Sequence, residues 1–505
     1  MKTLQQLLEG VEVREVRGDA GVRVGGVTSD SRKVVADGLF VAMPGATAKS
    51  VHGITHVETA LASGARVVVT DVVTPAAQRA AVLVVVKDPA AALSYAAEHF
   101  HGDPSSMLRL MGVTGTNGKT TSAHILESIA VAAGVKAGFV GTTAVRIHGA
   151  ERPATHTTPP ADVLCALLAE MVTAGVGCCA MEVSSHALDQ RRAEALRFAG
   201  AIFTNLTQDH LDYHQTMDAY FAAKARLFTG LLDSNAVGVL NADDARVATL
   251  HNKARCKTIT FSAAGGKADV STTRVSQDDA GTAMEATTPW GKMSLRSPLF
   301  GSYNVANVLG AAALHLATGT SMDAVTRGVS GLQRVPGRLE RVAHPAGARV
   351  LVDYAHTDDA LARALDAVRP SVAPGGRLLV VFGCGGDRDA TKRPRMGEAA
   401  ARRADVVVVT SDNPRSEKPE AIAQAIMQGV NSVGLSTVDA SLKGNGVHVE
   451  LDRAVAIACA VKAARRGDVV LIAGKGHETE QIFADRKIVF DDRQVALAAG
   501  QGVTP

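Results

Sequence analysis

A lysine and two threonines close a glycine turn at GTNGKTT, residues 115–121. The apolar run LRLMGVT precedes it, and Ile125, Leu126 and Ile129 follow at helical spacing, so the stretch reads as strand, loop and helix. Backbone N–H groups of such a loop and the positive end of the helix receive phosphates. Lys119 has the reach for the outer phosphates, and the Thr120 hydroxyl suits a magnesium ion. The general pattern places a glycine five residues before Gly118, where this chain has Val113; Gly112 and Gly115 are the nearest glycines. A bare GK[ST] also occurs in ordinary glycine turns, but the flanking strand and helix favour the phosphate reading. The chain is expected to bind ATP or a close relative.

If the group that meets the triphosphate is itself an anion, two negative charges are brought together. At about 4 Å and an effective dielectric near 20 they repel by about 4 kcal/mol. Lys119 and a magnesium ion are the expected sources of compensating charge. Thr120, Glu182 and His210 are candidate metal partners, the last two just beyond apolar strands; taken alone, His210 reads rather as a satisfied loop histidine.

Lys224 carries a separate signal. On a helix, Tyr220, Phe221, Leu227, Phe228 and Leu231 form one apolar face, Lys224 lies in its middle, and Arg226 lies outside it. A buried, unpaired lysine is costly and tends to lose its proton. A neutral amine adds CO₂ to become a carbamate, an anion able to hold magnesium. The competing reading is a lysine that snorkels out of a core helix. GCGGDRD, from Gly383, nears a dinucleotide fingerprint, but Arg388 stands where the third glycine belongs, so no NAD site is expected.

These residues need elements to hold them. Strands are predicted at 39–42, 66–70 and 81–87, with helices at 54–63 and 89–100. The turn-rich HGDPSS then ends a first unit. The unit with the phosphate loop has further strands at 137–141, 177–183, 199–205 and 236–241. The Thr-rich, alternating 257–300 reads as a small antiparallel insertion. Past GLQRVPGR, strands at 350–353, 377–382, 405–410 and 468–473 alternate with helices at 359–368, 419–427 and 452–465. Apolar strands alternating with helices imply parallel sheets covered on both faces. The expected fold is α/β in three domains: a smaller N-terminal α/β domain (1–103), a central P-loop-type parallel sheet with helices (104–333) and a C-terminal Rossmann-like domain (334–505).

At 505 residues and 46% hydrophobic content the chain supports several cores. Aromatics at 4% and a net charge of +3 argue against a nucleic-acid surface. Six cysteines without a C-x-x-C pair suit reduced thiols. No apolar run reaches a membrane span, and the N-terminus does not read as a signal peptide. A cytoplasmic, soluble protein, monomeric and without nucleic-acid or membrane partners, is expected.

Further motifs fall in a fixed order: TSDSRKV from Thr28, HTTP from His156, MEVSSHALDQRR from Met181, TNLTQDHLDYH from Thr204 and YFAAKARLF from Tyr220. VDYAHT from Val352, GCGGDRD, DNPR from Asp412 and GKGHE from Gly474 complete the series. Together with GTNGKTT they resemble the Mur ligases, ATP-dependent amide-bond formers of peptidoglycan precursor synthesis. DNPR is similar to the branch that adds meso-2,6-diaminopimelate to UDP-N-acetylmuramoyl-L-alanyl-D-glutamate through an acyl phosphate. The resemblance spans Thr28 to Glu478.

It implies ATP as co-substrate, Mg²⁺, and a CO₂-derived carbamate on Lys224. It implies catalytic roles for Lys119, Lys224, His210 and Glu182, with Thr120, Glu182, His210 and Lys224 at the metal. ATP is assigned to Gly115, Thr116, Asn117, Gly118, Lys119, Thr120, Thr121, Asn304, Arg338, Asp353 and His356. The UDP-sugar-peptide is assigned to Ser29, Ser31, Ala46, Thr47, Ala48, His156, Thr157, Thr158, Ser184, Gln190 and Arg192. Diaminopimelate is assigned to Arg388, Asp412, Asn413, Pro414, Arg415, Gly474 and Glu478, with Arg415 offering a planar fork to a carboxylate and Asp412 and Asn413 meeting an ammonium group. The chain departs from the family at Asp358, where proline is frequent, and at Tyr303, where phenylalanine is frequent. A lysine-adding ligase, a folylpolyglutamate synthetase-like enzyme and a P-loop switch protein without ligase activity remain as alternatives.

Overall fold

Among the described residues, apolar strand runs and amphipathic helices fold into three α/β sheets, and Glu480–Ile482 pairs with Lys487–Val489 in a separate two-stranded ribbon. The computed structural model describes residues 1–45, 51–278 and 280–502. The chain forms two compact units: Met1–Thr272 with Ala286–Met293 and Ala306–Gly331, and Thr273–Glu285 with Ser294–Val305 and Leu332–Pro505.

The first unit contains two sheets. The N-terminal one runs Val13–Arg17, Val82–Val86, Ala65–Thr70, Gly38–Val41, Val27–Thr28, with only the first strand antiparallel. Its three inner strands are buried on both faces, as the continuous VLVVV run demands, whereas the edge strand Val13–Arg17 is exposed. The helix Pro89–Phe100 covers one face, capped by Asp88, with proline in its first turn where no N–H is needed.

The larger sheet of this unit places Lys257–Ser262, Val237–Asn241, Gly200–Phe203, Arg109–Thr114, Cys178–Glu182 and Ala137–Val140 side by side and parallel. Val145–Ile147 and Ala150–Arg152 continue it antiparallel. Residues 257–262 therefore extend the parallel sheet, and the insertion expected over 257–300 begins only later. The alternating burial of Gly281–Thr288 and Gly291–Ser297 shows the two-sided pattern behind that expectation. The phosphate-loop strand is central, with Cys178–Glu182 on one side and Gly200–Phe203 on the other. In such a sheet the carboxyl ends of the strands flank a crevice where ligands bind.

The second unit carries a six-stranded sheet in the order Glu340–Val342, Arg349–Asp353, Val469–Ala473, Leu378–Phe382, Val406–Val409, Gly446–Val449. All but the first are parallel. Separate apolar cores cover its two faces. Among the described residues no helix is long and apolar enough to cross a membrane.

Candidate functional site

The phosphate loop follows directly from its strand. Gly115 and Gly118 take positive φ values of 143° and 88°. A Cβ on Gly115 would lie 2.0 Å from Thr204 Oγ1, and one on Gly118 2.3 Å from Asn307 Oδ1, so only glycine fits both places. The segment after the neighbouring strand pins the loop. Asn205 Oδ1 accepts from Asn117 N (3.0 Å), Thr204 Oγ1 donates to Asn117 O (2.5 Å), and Thr116 Oγ1 donates to Thr207 O (3.1 Å). Lys119 Nζ folds back on the loop, donating to Gly115 O and Thr116 O at 2.8 Å each. Thr121 is buried one residue beyond Thr120 in the first turn of the helix Lys119–Ala132.

Glu182 ends the adjacent strand, level with Val113. It is 1% exposed and accepts from Thr120 Oγ1 (3.0 Å), Thr142 N (2.8 Å) and Thr142 Oγ1 (3.2 Å). Thr120 and Glu182 thus share an oxygen-rich corner suited to magnesium. Thr157 Oγ1 lies 3.0 Å from Thr142 Oγ1, and Thr158 Oγ1 donates to Glu182 O (2.8 Å) while accepting from Ser184 N (3.1 Å). HTTP and EVSSH are therefore adjacent in space.

Lys224 is 1% exposed, in the helix Met217–Arg226. Its Nζ donates to Gly115 O (2.8 Å) and lies 4.7 Å from the centre of the Tyr220 ring. The side chain does not snorkel; it points at the phosphate loop. Burial, with Lys119 adding to it, drives its ammonium well below the ordinary lysine range, against a small opposing pull from Asp209. Leu227–Leu231 is a π-helical turn, so the α-helical face expected of this segment shifts register. Leu227, Phe228 and Leu232 are buried, while Leu231 is only half-buried.

His210 adopts left-handed backbone geometry (φ 53°). Its ring stands edge-on to His186 (4.9 Å between centres) and near Tyr220 (6.1 Å). Partial burial, then His186, Lys119 and Lys224, pull its imidazole below the ordinary range, against Asp209. A neutral imidazole is the form that binds metal. Among the described residues no three His, Cys, Asp or Glu side chains gather as a metal cage. The expected set contains only two such groups, Glu182 and His210; its other donors are a hydroxyl and a modified lysine.

Arg192 donates to Thr158 O (2.6 Å) and Gln190 Oε1 (2.7 Å), and Gln190 Nε2 donates to Tyr213 Oη (3.2 Å). Its guanidinium has only neutral partners among the described residues. Ser29 N and Thr28 Oγ1 donate to Asp162 Oδ2 (3.3 and 3.1 Å), and Ser31 is buried in a short 3₁₀ turn capped by Asp30. His156 is exposed, with Nδ1 3.1 Å from Thr155 Oγ1. Ala46, Thr47 and Ala48 lie outside the described residues.

Asn304, Arg338, Asp353 and His356 belong to the second unit, whereas the phosphate loop belongs to the first. Asp353 accepts from Leu339 N and Ala355 N (2.8 Å each), and burial raises its carboxyl. Arg338 stacks over Tyr354 (4.9 Å), Asn304 Nδ2 donates to Phe300 O (2.7 Å), and His356 Nδ1 lies 2.9 Å from Tyr354 O.

In the second unit, DNPR follows the strand Val406–Val409 and GKGHE follows Val469–Ala473. Asp412 and Asn413 are buried, and a Cβ on Gly474 would lie 3.3 Å from Asp412 Oδ2. Arg415, at φ 52°, donates to Gly386 O (2.8 Å), its only side-chain partner among the described residues. Pro414 is buried, and Arg388 is exposed at the loop surface. Asn413 does not keep its carbonyl oxygen for a ligand. Asn413 Oδ1 accepts from Lys475 Nζ (3.1 Å) and Ile482 N (3.0 Å), and its amide donates to Glu478 Oε2 (2.9 Å).

Two residues of this cluster escaped sequence reasoning. Lys475, between the two glycines of GKGHE, is fully buried. Arg453 is also buried, with Nε and Nη2 paired to Asp492 (2.8 and 2.7 Å). It donates as well to Ser411 O (3.2 Å) and Ala473 O (3.0 Å), which ties the ends of both strands together. A signal existed: Arg453 shares its helix face with Ala456, Ile457, Ala460 and Val461, the pattern that singled out Lys224.

Comparison with known proteins adds to this geometry. Residues 113–315 match the Mur ligase middle domain, and residues 337–476 match the "Mur ligase, glutamate ligase domain". The chain is 41% identical over 506 residues to the UDP-N-acetylmuramoyl-L-alanyl-D-glutamate--2,6-diaminopimelate ligase of Geobacter sulfurreducens, covering 98% of each. It is 45% identical over 488 residues to the ligase of that name from Synechococcus elongatus, covering 94% of this chain and 93% of the relative. A solved structure of a ligase with the same name superposes with a TM-score of 0.70 at 32% identity, covering 99% of each chain.

Proposed function

This chain belongs to the Mur ligase family of ATP-dependent amide-bond-forming ligases, and we propose that it joins meso-2,6-diaminopimelate to UDP-N-acetylmuramoyl-L-alanyl-D-glutamate. The observation that carries the choice of amine donor is Arg415, which follows the buried Asp412 and Asn413 in DNPR and donates to Gly386 O while forming no salt bridge among the described residues. A ligand with a carboxylate beside an ammonium group satisfies both kinds of charge. Full-length likeness to ligases named for this substrate supports the same reading.

In this reading three modules, 1–103, 104–333 and 334–505, receive the UDP-sugar, ATP and the amino acid. Lys119 exchanges the carbonyls of Gly115 and Thr116 for phosphate oxygens, while the N–H groups of the loop hold the chain of phosphates. Asn304, Arg338, Asp353 and His356 serve the rest of the nucleotide. Thr120, Glu182, neutral His210 and a carbamylated Lys224 would hold Mg²⁺, which supplies charge neutralisation between triphosphate and acid. Lys224 becomes a carbamate by adding CO₂ with loss of one proton, and its remaining N–H still donates to Gly115 O.

Arg192, held only by neutral groups, offers its fork to the peptide carboxylate; Ser184, Gln190, His156, Thr157 and Thr158 surround it. Ser29, Ser31 and residues 46–48 hold the nucleotide-sugar end. A carboxylate oxygen attacks the terminal phosphorus as its bond to ADP breaks. The amine, after losing a proton, attacks the acyl carbon, and phosphate leaves with the oxygen that was phosphorylated. We take the enzyme to be a cytoplasmic monomer acting on small molecules.

The test is a matrix of UDP-muramoyl peptides against amino acids, scored by phosphate release and product mass. Phosphate release that requires all three substrates, with diaminopimelate preferred over lysine, is the expected result. Release without the amine donor would support a switch protein, and a preference for lysine would overturn the choice of donor.

A further inference from the structure

The region assigned to the amine donor already contains an ammonium group. Lys475 is 0% exposed. Its Nζ donates to Asn413 Oδ1 and Glu478 Oε2, both at 3.1 Å, and lies 3.8 Å from Asp412 Oδ1. Glu478 Oε2 also accepts from Asn413 Nδ2 (2.9 Å). One carboxylate oxygen of Glu478 is thus consumed by internal donors, while Oε1 accepts from no described group. The side chain of Glu478 is 34% exposed, and Asp412 Oδ1 is buried without a hydrogen bond.

Two carboxylates meet one internal ammonium, so the cluster has one negative charge left over. A flexible glutamate that donates nothing would sample several rotamers; Lys475 and Asn413 fix it at one oxygen and leave the other for a ligand. With no internal cation, two uncompensated carboxylates would favour a dication and repel the ligand carboxylate that Arg415 is assigned to receive.

We propose that Lys475 is a specificity-determining positioning residue, which fixes Glu478 and trims the charge of the Asp412–Glu478 pair so that the site takes an amine donor whose far end carries one ammonium beside one carboxylate. This rests on the reading of the cluster as the amine-donor site. Lys475 itself does not touch the ligand; it acts through Glu478.

The test is steady-state kinetics of the full chain and of Lys475→Met, with diaminopimelate and with 2-aminopimelate, which keeps the far carboxylate but lacks the far ammonium. The expected result is a KM for diaminopimelate raised about tenfold or more, with kcat within about threefold and the KM for ATP unchanged. The kcat/KM for 2-aminopimelate should fall too, by repulsion of its far carboxylate, but less than that for diaminopimelate, because it has no far ammonium for Glu478 to hold. Lys475→Met combined with Glu478→Gln should be no worse than the more damaged single variant, because both remove the same contact. Lys475→Gln, which keeps a donor for Glu478, is the second variant and should shift KM in the same direction. Equal losses with both amino acids, a fall in kcat alone, or failure of both lysine variants to fold would assign Lys475 to the scaffold and overturn the inference. A wild-type enzyme that ignores diaminopimelate would instead remove the reading on which it rests.

Discussion

Replacing Lys224 by alanine tests the most unusual chemistry in the site. Lys119 Nζ and Lys224 Nζ each sit 2.8 Å from the same oxygen, Gly115 O. The two nitrogens are therefore no farther apart than twice that distance. Two positive charges so placed repel by about 3 kcal/mol at an effective dielectric of 20. Burial adds to this, and Lys224 is driven toward its neutral amine. A neutral amine at neutral pH reacts with CO₂, and the product reverses the sign of the interaction with Lys119. If that carbamate supplies one preorganised charge to the reacting centre, Lys224→Ala lowers kcat by about 10²- to 10³-fold with KM values changed little. Formate or acetate should restore part of the rate by entering the space. In ¹³C-bicarbonate the wild-type protein should show a labelled carbamate carbonyl by NMR that the variant lacks. Full activity in the variant, or a loss with neither rescue nor labelled carbonyl in the wild type, would refute the reasoning.

Arg415→Ala removes one ionised partner, a loss of about 1.5–3 kcal/mol, and should raise the KM for diaminopimelate at least about tenfold while ATP binding stays unchanged in a binding titration. His315 is 0% exposed, donates from Nε2 to Leu126 O (2.8 Å) and accepts at Nδ1 from Thr320 Oγ1 (3.0 Å); burial lowers its pKa to about 4. The unfolded chain takes up this proton near pH 6.5 and the folded one near 4, so stability is lost as pH falls between them, by at most about 3 kcal/mol. His315→Gln should flatten that part of the melting-temperature profile. Arg453→Met strands the buried Asp492 carboxylate and should cost about 3–5 kcal/mol in urea unfolding, much of it recovered in Arg453→Met with Asp492→Leu.

Much of this architecture is legible in the residues themselves. Buried parallel strands are uninterrupted apolar runs, as in Val406–Val409, and the glycines of the phosphate loop stand where a side chain would collide with Thr204 or Asn307. Lys224 was readable because a charge inside an apolar helical face is conspicuous. Arg453 gave the same signal, but its arginine begins the helix beside the capping Asp452, where a charge looks exposed. Lys475 was hidden because a tripeptide of two glycines and a lysine has no periodicity, so nothing local reveals which way the lysine points. The hydrogen bonds of Asn413 are not legible in sequence for a tertiary reason: its partners, Lys475, Glu478 and Ile482, lie more than sixty residues away. The strand at 257–262 reads as part of an antiparallel hairpin because Thr258 and Thr260 alternate with apolar residues, yet it lies between two strands and parallel to both. The π turn at Leu227–Leu231 is invisible to a helical count, which assumes a constant period.

The proposed reaction requires a carboxylate that is phosphorylated before the amine captures it. The most direct measurement uses UDP-N-acetylmuramoyl-L-alanyl-D-glutamate labelled with ¹⁸O in the glutamate side-chain carboxylate. With ATP, magnesium and diaminopimelate, the account predicts one ¹⁸O in the released phosphate for each amide bond formed. Unlabelled phosphate accompanying the tripeptide would contradict it.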